Sequence, residues 1–353
     1  MKKALSLALL LVITAGSAQA KISKKETQKA SYSVSCVAFY NLENMFDTIN
    51  DPTINDEEYL PEGGMKWTSF KYENKVQKMA YALSQLGTDY VPTGAAVIGV
   101  SEIENRGVLE DVVADPAWGE RKMEIVHYDG PDRRGVDVGL LYNPDYFTVT
   151  NSNSHRLYIE DDPNFRTRDQ LVVSGYLQGE KIHVIVNHWP SRYGGEVASR
   201  PKRAAAARLT KWIADSIYQR EPKAKIIIMG DLNDDPYNIP CCEVLGAKKT
   251  REEVQPQGFF NTMWQMLDRG IGSLAYNGSW NLFDQIIISE PLMNANPAKE
   301  LSYWKAQVFN KPFLTVQEGK DKGTPLRTTK SNVWQNGYSD HYPTMIYLIK
   351  QKQ

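Results

Sequence analysis

Apolar residues gather along this chain in short, almost unbroken runs, each closed by a polar or glycine-containing turn. Seven stand out: "VSCVAFY" at 34–40, "AAVIGV" at 95–100, "VDVGLLY" at 136–142, "KIHVIV" at 181–186, "KIIIMG" at 225–230, "DQIIIS" at 284–289 and "TMIYLI" at 344–349. Runs of this length predict strands, and their near-continuous apolarity predicts burial on both faces. Two segments change to helical spacing. "YENKVQKMAYALSQLG" sets Val76, Met79, Leu83 and Leu86 on one face and stops at Gly87, while "RPKRAAAARLTKWIADSIYQREP" groups Leu209, Trp212, Ile213 and Ile217 and is halted by Pro222. Strands interleaved with helices make an α/β layered fold, with two sheets stacked inside flanking helices as one candidate.

The polar residues that border these runs carry more information than the runs themselves. Asn41, Glu102, His188 and Asp231 each fall one or two positions past the end of a run, whereas Asp284 and His341 stand just ahead of one. If the last two strands run antiparallel to the others, all six side chains meet on one rim of the sheets. A single polar residue at a strand end is ordinary loop chemistry. Six of metal- and phosphate-binding type, each on a different run, point to a site.

The chain's start changes the setting. "MKKALSLALLLVITAGSAQA" joins two lysines, an apolar stretch and a small-x-small ending, the pattern of a signal peptide over residues 1–20 and of an exported protein, periplasmic, cell-surface or secreted. The stretch is too short to span a membrane, and no later run is longer. Residues 21–31, "KISKKETQKAS", read as a flexible polar tether, and 32–353 as one domain with a long insertion at about 291–338 that carries Trp304 and Trp334. A formal net charge of −1 gives no global attraction for nucleic acid, so any polyanion would be held locally. Three cysteines, two of them adjacent, make neither a disulfide framework nor a zinc site and are read as small buried thiols. No partner protein is expected, and the chain is read as a monomer.

"GDLNDDP" opens like a calcium loop, with Asp231, Asn233 and Asp235 at positions one, three and five. Such a loop then requires glycine at six and glutamate at twelve, where this chain has Pro236 and Cys242. Ser101 lies in "GVSEI", without the closing glycine of a hydrolase elbow, and no phosphate-cradling glycine loop is found. Oxygen ligands and histidines remain. Magnesium, or manganese, takes carboxylate and amide oxygens and shares its shell with water and phosphate, so Glu102 and Asn41 can supply a partial shell. Phosphodiester hydrolysis then needs an activated water and a proton for the leaving oxygen. Asp231 suits the base, Asn233 an orienting amide, and His188 or His341 the donor, with Asp137 and Asp284 available to keep a histidine charged.

Taken together, "FYNLEN", "GVSEIEN", "RRGVDVGLLYN", "VNHWPSR", "MGDLND", "LFDQIIIS" and "YSDHYP" resemble, in this order, the motifs of the endonuclease/exonuclease/phosphatase family of metal-dependent phosphoesterases. The resemblance implies a four-layered α/β sandwich of DNase I type. It implies that Asn41 and Glu102 bind the metal with Asp340 near it, and that Asp231 and Asn233 position and activate water. It further implies that His188 and His341 contact the scissile phosphate or protonate the leaving group, and that Asp284 orients His341. A pairing of His188 with Asp137 extends the same logic, and Arg192 and Arg168 are candidate phosphate contacts. The acid after the first asparagine is Glu43, with Asp47 further on, which puts a second metal position in question.

An exported nuclease or phosphodiesterase acting on DNA or RNA is the leading reading, with Arg133, Arg134, Arg192, Tyr193, Lys202, Arg203 and Trp280 as rim cations and aromatics to hold a phosphate backbone and stack bases. A phosphatase or phosphodiesterase of small or lipid phosphoesters keeps the same site. A non-catalytic surface binding protein of the same fold has no need of Asn41, Glu102, Asp231, Asn233 and His341 together.

Overall fold

The computed structural model describes residues 31–276 and 278–352; the expected signal peptide and residues 21–30 of the expected tether lie outside the described residues. In chain order the strands are β1 (Tyr32–Met45), β2 (Val97–Ile103), β3 (Glu124–His127), β4 (Asp137–Tyr142), β5 (Phe147–His155), β6 (Gln170–Leu177), β7 (Glu180–His188) and β8 (Lys225–Asp231). There follow β9 (Ala247–Lys248), β10 (Phe259–Asn261), β11 (Leu274–Tyr276), β12 (Ser279–Asn281), β13 (Asp284–Ser289), β14 (Ser302–Val308), β15 (Thr329–Lys330), β16 (Val333–Trp334) and β17 (Thr344–Gln351). Two mixed sheets form, one ordered β14-β17-β1-β2-β4-β3 and the other β5-β6-β7-β8-β13-β10-β9. They stack face to face, with α1 (Ser69–Ser84) and α2 (Arg106–Ala114) outside the first and α3 (Glu196–Arg220) outside the second, which is the four-layered α/β sandwich.

The unbroken apolarity of β8 follows from this layering. Ile227 and Met229 face the first sheet, whereas Ile226 and Ile228 face α3, so both sides of the strand leave water. Each such side chain contributes about 1.5–3 kcal/mol relative to exposure. The helix α3 differs from its expected form. It begins at Glu196 rather than near Arg200, and its inward face is Arg203, Ala206, Ala207, Thr210, Ile213 and Ile217. Trp212 is exposed and packs edge-on against His155, and Leu209 is half-buried. Alanines win the buried face because they let the helix lie close on the sheet.

All seven expected strands form. β5, β6 and β14 were not expected. β5 is a polar edge strand, and β14 lies within the long connection after Pro291, where it pairs antiparallel with β17 and closes one edge of the first sheet. In that connection Trp304 packs against Tyr90 and Tyr347, and Trp334 meets Trp67 edge-on.

Gly230 is required by a close approach. It lies opposite Asn187 in the parallel β7–β8 pair, and a Cβ there would stand 2.2 Å from the Asn187 carbonyl oxygen. Neither backbone can give way inside a central sheet. Gly230→Ala is therefore expected to lower unfolding free energy by about 3 kcal/mol, read as a reduced urea midpoint at unchanged slope; a midpoint equal to wild type contradicts this packing.

Candidate functional site

β13 pairs antiparallel with β8, placing Asp284 directly opposite Asp231, and β17 pairs antiparallel with β1, so that His341, just ahead of β17, reaches the same rim. β7 and β8 are parallel and put His188 opposite Asp231. Glu102 arrives by a different device. A register shift in β2 between Ser101 and Ile103 holds Glu102 at φ 59, and Glu43, Asn44 and Asn233 also have left-handed backbones. Each such residue costs about 1 kcal/mol or more, and the four together re-aim side chains at one rim.

Asp231 lies at the centre of the cluster. Its Oδ2 accepts from Asn41 Nδ2 at 3.0 Å, and its Oδ1 from the Asn233 backbone N–H at 2.9 Å. His188 Nε2 lies 3.7 Å and His341 Nε2 3.9 Å from Oδ2. Burial pushes the Asp231 carboxyl up to about 7, although the charge on His341 draws it down. Asn233 commits one N–H of its Nδ2 to the Trp189 carbonyl at 2.9 Å, which fixes the amide and leaves its Oδ1 and second N–H for water or substrate.

The two histidines are held in opposite states. His341 Nδ1 contacts Asp284 Oδ2 at 2.6 Å, and Asp284 also accepts from Ser273 Oγ at 2.5 Å. Burial works against a charge on His341, but the Asp284 carboxylate outweighs it and holds the ring well above the ordinary histidine value. His188 has no such partner. Burial, then the charges of Arg168, Arg134 and His341, push it well below that value, and its Nδ1 is buried with no hydrogen-bond partner among the described residues.

A hard divalent cation fits the donor set here. Glu102 commits Oε2 to the Asn44 backbone N–H at 2.9 Å and turns Oε1 to within 3.8 Å of His188 Nε2. Single atoms of Glu102, His188 and Asp231 lie within 4.8 Å of one another, as do single atoms of Asp231, Asp284 and His341. Asn41 Oδ1 already accepts from the Glu43 N–H at 2.9 Å and has one lone pair to spare.

Several expected contacts are corrected. Asp137 does not pair with His188; its carboxylate takes His127 Nε2 at 3.3 Å and the Gly130 N–H at 3.0 Å, both supplied from the β3 side of β4, the edge of the sheet away from β2. Asp340 accepts from Arg327 Nη2 at 3.0 Å with Oδ2 and holds Oδ1 3.9 Å from His341 Nε2, at the edge of the cluster. Arg168 is buried and bonded to Asp132 at 3.1 Å and to the Trp189 carbonyl at 2.5 Å, so it braces the site. Arg192 is spent on the Asn233 carbonyl at 2.8 Å and on Asn238 at 3.0 Å. Arg133 is exposed and touches the Asn164 carbonyl at 3.3 Å; it is Arg134, its neighbour in the turn, whose charge bears on His188. Arg203, expected at the surface, is wholly buried against Asp234 at 2.8 Å.

Other residues of the site were not anticipated. Glu43 is buried and accepts from the Thr328 N–H at 2.6 Å and from Arg327 Nε at 3.2 Å. Lys75, also buried, bonds Thr328 Oγ1 and the Tyr338 carbonyl. Ser339 Oγ donates to the Asn41 carbonyl at 2.7 Å, and only its place in "YSDHYP" hinted at this. Nothing local marks Ser273 or Thr328, which reach the site from distant segments.

No curated protein sequence matches the chain. Among solved structures, a Danio rerio TDP2 humanized by 14 mutations superposes with TM-score 0.55 at 11% identity, covering 89% of this chain and 98% of that one. An endonuclease/exonuclease/phosphatase family protein from Bacteroides thetaiotaomicron gives 0.54 at 15% identity, covering 91% and 97%. A mannosyl-6-phosphatase from the same species gives 0.53 at 13%, covering 89% and 99%. The sequence model described as "Endonuclease/Exonuclease/phosphatase family" matches residues 36–350. With that match spanning nearly all described residues and the sandwich shared with these structures, the chain belongs to the endonuclease/exonuclease/phosphatase family.

Proposed function

We propose that this protein is an exported phosphodiesterase of nuclease type that depends on magnesium or manganese. The observation that carries the reading is the place of Asp231, a buried carboxyl hydrogen-bonded to Asn41 and Asn233 with His188 Nε2 at 3.7 Å and His341 Nε2 at 3.9 Å. Asp231 takes the proton of a water held by Asn233 Oδ1. His341, kept charged by Asp284, gives a proton or hydrogen bond to the leaving oxygen, and neutral His188 donates a hydrogen bond to a phosphoryl oxygen. Glu102 and Asn41 would hold the cation, with Asp340 near it. When bound, the ion neutralises phosphate charge. Export rests on the first twenty residues; no described helix is long and apolar enough to cross a membrane.

A second reading, hydrolysis of small phosphoesters, is favoured by one finding. Arg192 and Arg203, expected to follow a nucleic-acid backbone, and Arg168, a candidate phosphate contact, are bonded internally. The mannosyl-6-phosphatase and the D. rerio TDP2 complexed with single-strand DNA product share this fold with different substrates, so fold does not decide between them.

Purified protein is to be assayed on plasmid DNA, bis-p-nitrophenyl phosphate, p-nitrophenyl phosphate and sphingomyelin with magnesium, manganese or EDTA. Diester cleavage abolished by EDTA, falling steeply with salt on DNA, is expected. Activity that survives EDTA overturns the metal requirement, and fast monoester turnover indifferent to salt favours the second reading.

A further inference from the structure

We propose that the inserted segment and the β11–β12 hairpin build a nucleotide subsite for the group that stays on the scissile phosphate, with Trp280 as base platform and Arg327 and Lys320 as its cations. The inference rests on the phosphodiesterase reading above and names its substrate class.

The hairpin stands between two clefts at the rim. One, of about 620 Å³, is lined by Asn233, His341, Tyr193, Tyr276 and Phe283. The other, of about 490 Å³, runs from Asp340 and Arg327 to Trp280, Lys320, Lys330 and Gln335. Asn233 and His341, the residues assigned to the two reacting oxygens, both line the first cleft, and the second adjoins them at Asp340, where the group retained on the phosphate enters.

The chemistry of the second cleft selects a flat ring joined to an anion. Trp280 lies nearly parallel to Tyr342, with 19° between planes and ring centres 6.1 Å apart. Tyr342 is fixed from behind by Thr315 Oγ1 at 2.8 Å and the Gly323 carbonyl at 2.9 Å, both from the inserted segment. A backed indole that keeps 37% of its surface exposed is a stacking surface already ordered before a base arrives. Around it, Arg327, Lys320 and Lys330 face Asp321 and Asp340, with Glu43 also on Arg327. Lys330 is paired with Asp321, and Lys320 is exposed. Arg327 is held at the mouth by Glu43 and Asp340 with 42% of its side chain open. Gln335 adds an amide able to read a base edge. A bare phosphate would leave the indole and the Gln335 amide unused.

The test compares two diesters with the same leaving group, p-nitrophenyl thymidine 5′-phosphate and methyl p-nitrophenyl phosphate, with magnesium. Wild type is expected to favour the thymidine ester in kcat/KM. Trp280→Ala is expected to shrink that preference roughly tenfold, mainly through KM, and Lys320→Ala to shrink it less. Both side chains are exposed, so folding is retained, as a thermal melt will register. A wild-type preference absent, or undiminished in both variants, overturns the subsite. Failure to hydrolyse either diester overturns the phosphodiesterase reading instead.

Discussion

Asp231→Asn is expected to lower kcat on a phosphodiester by about a thousandfold or more while the protein stays folded. The amide is the same size and keeps an oxygen for the Asn233 N–H that now bonds Oδ1 at 2.9 Å, at the cost of the bond that Asn41 Nδ2 donates to Oδ2. What it cannot do is accept a proton. A carboxyl that burial pushes up to about 7 is a base matched to neutral pH, and no second group stands ready to replace it. His188 Nε2, 3.7 Å away, is neutral but faces Glu102 as well and is aimed at the cluster's acids. Asp284 is consumed by His341. Steady-state kinetics on bis-p-nitrophenyl phosphate, with circular dichroism as the control for folding, read the effect. A variant within tenfold of wild type removes Asp231 from the role of base.

The sheets were legible because their strands are buried on both faces, which leaves an apolar run that sequence alone reveals. β8 shows it, with Ile226 and Ile228 toward α3 and Ile227 and Met229 toward the other sheet. β5 escaped because an edge strand with one wet face reads as loop, and α3 was turned by its aromatic residue, since Trp212 looked like core and stands exposed. At the site, residues that end strands were found by position, because the rim is where several strands stop. Partners contributed by distant segments were not. Ser273, Thr328 and Lys75 meet the site only in three dimensions. Charge also misled: an arginine in sequence carries no sign of whether it is free, and Arg203 lies buried against Asp234. Asp234 and Asp235 follow the strand end in "GDLNDDP". They are buried, and Asp235 accepts from the Leu282 N–H at 2.8 Å to fasten the loop ahead of β13.

Asp284→Asn is expected to cost about a hundredfold in kcat at pH 8 and much less at pH 6. The sign follows from the two influences on His341. Burial favours the neutral ring, and the Asp284 carboxylate 2.6 Å from Nδ1 overrides it, so that the histidine stays charged well past its ordinary value. An amide in place of Asp284 removes the larger favourable charge and leaves burial in command. Asp340 and Asp231, each 3.9 Å from Nε2, pull the same way but more weakly. The folded-state value therefore drops, and the proton needed for the leaving oxygen is lost at lower pH. On a pH–rate profile the alkaline limb moves to lower pH. The same change acts on stability with a matching sign: a histidine raised on folding stabilises fully below its unfolded value and loses that contribution as pH climbs through its folded value. Wild type thus gains over Asp284→Asn at neutral pH, and the gap in melting temperature closes at high pH, where both rings are neutral. A leaving group that needs no proton supplies the internal control, because p-nitrophenolate departs unaided and should blunt the loss relative to an alkyl leaving group. An equal loss on both, with no movement of the alkaline limb, means that Asp284 only fixes the ring's place and that His341 acts through its position.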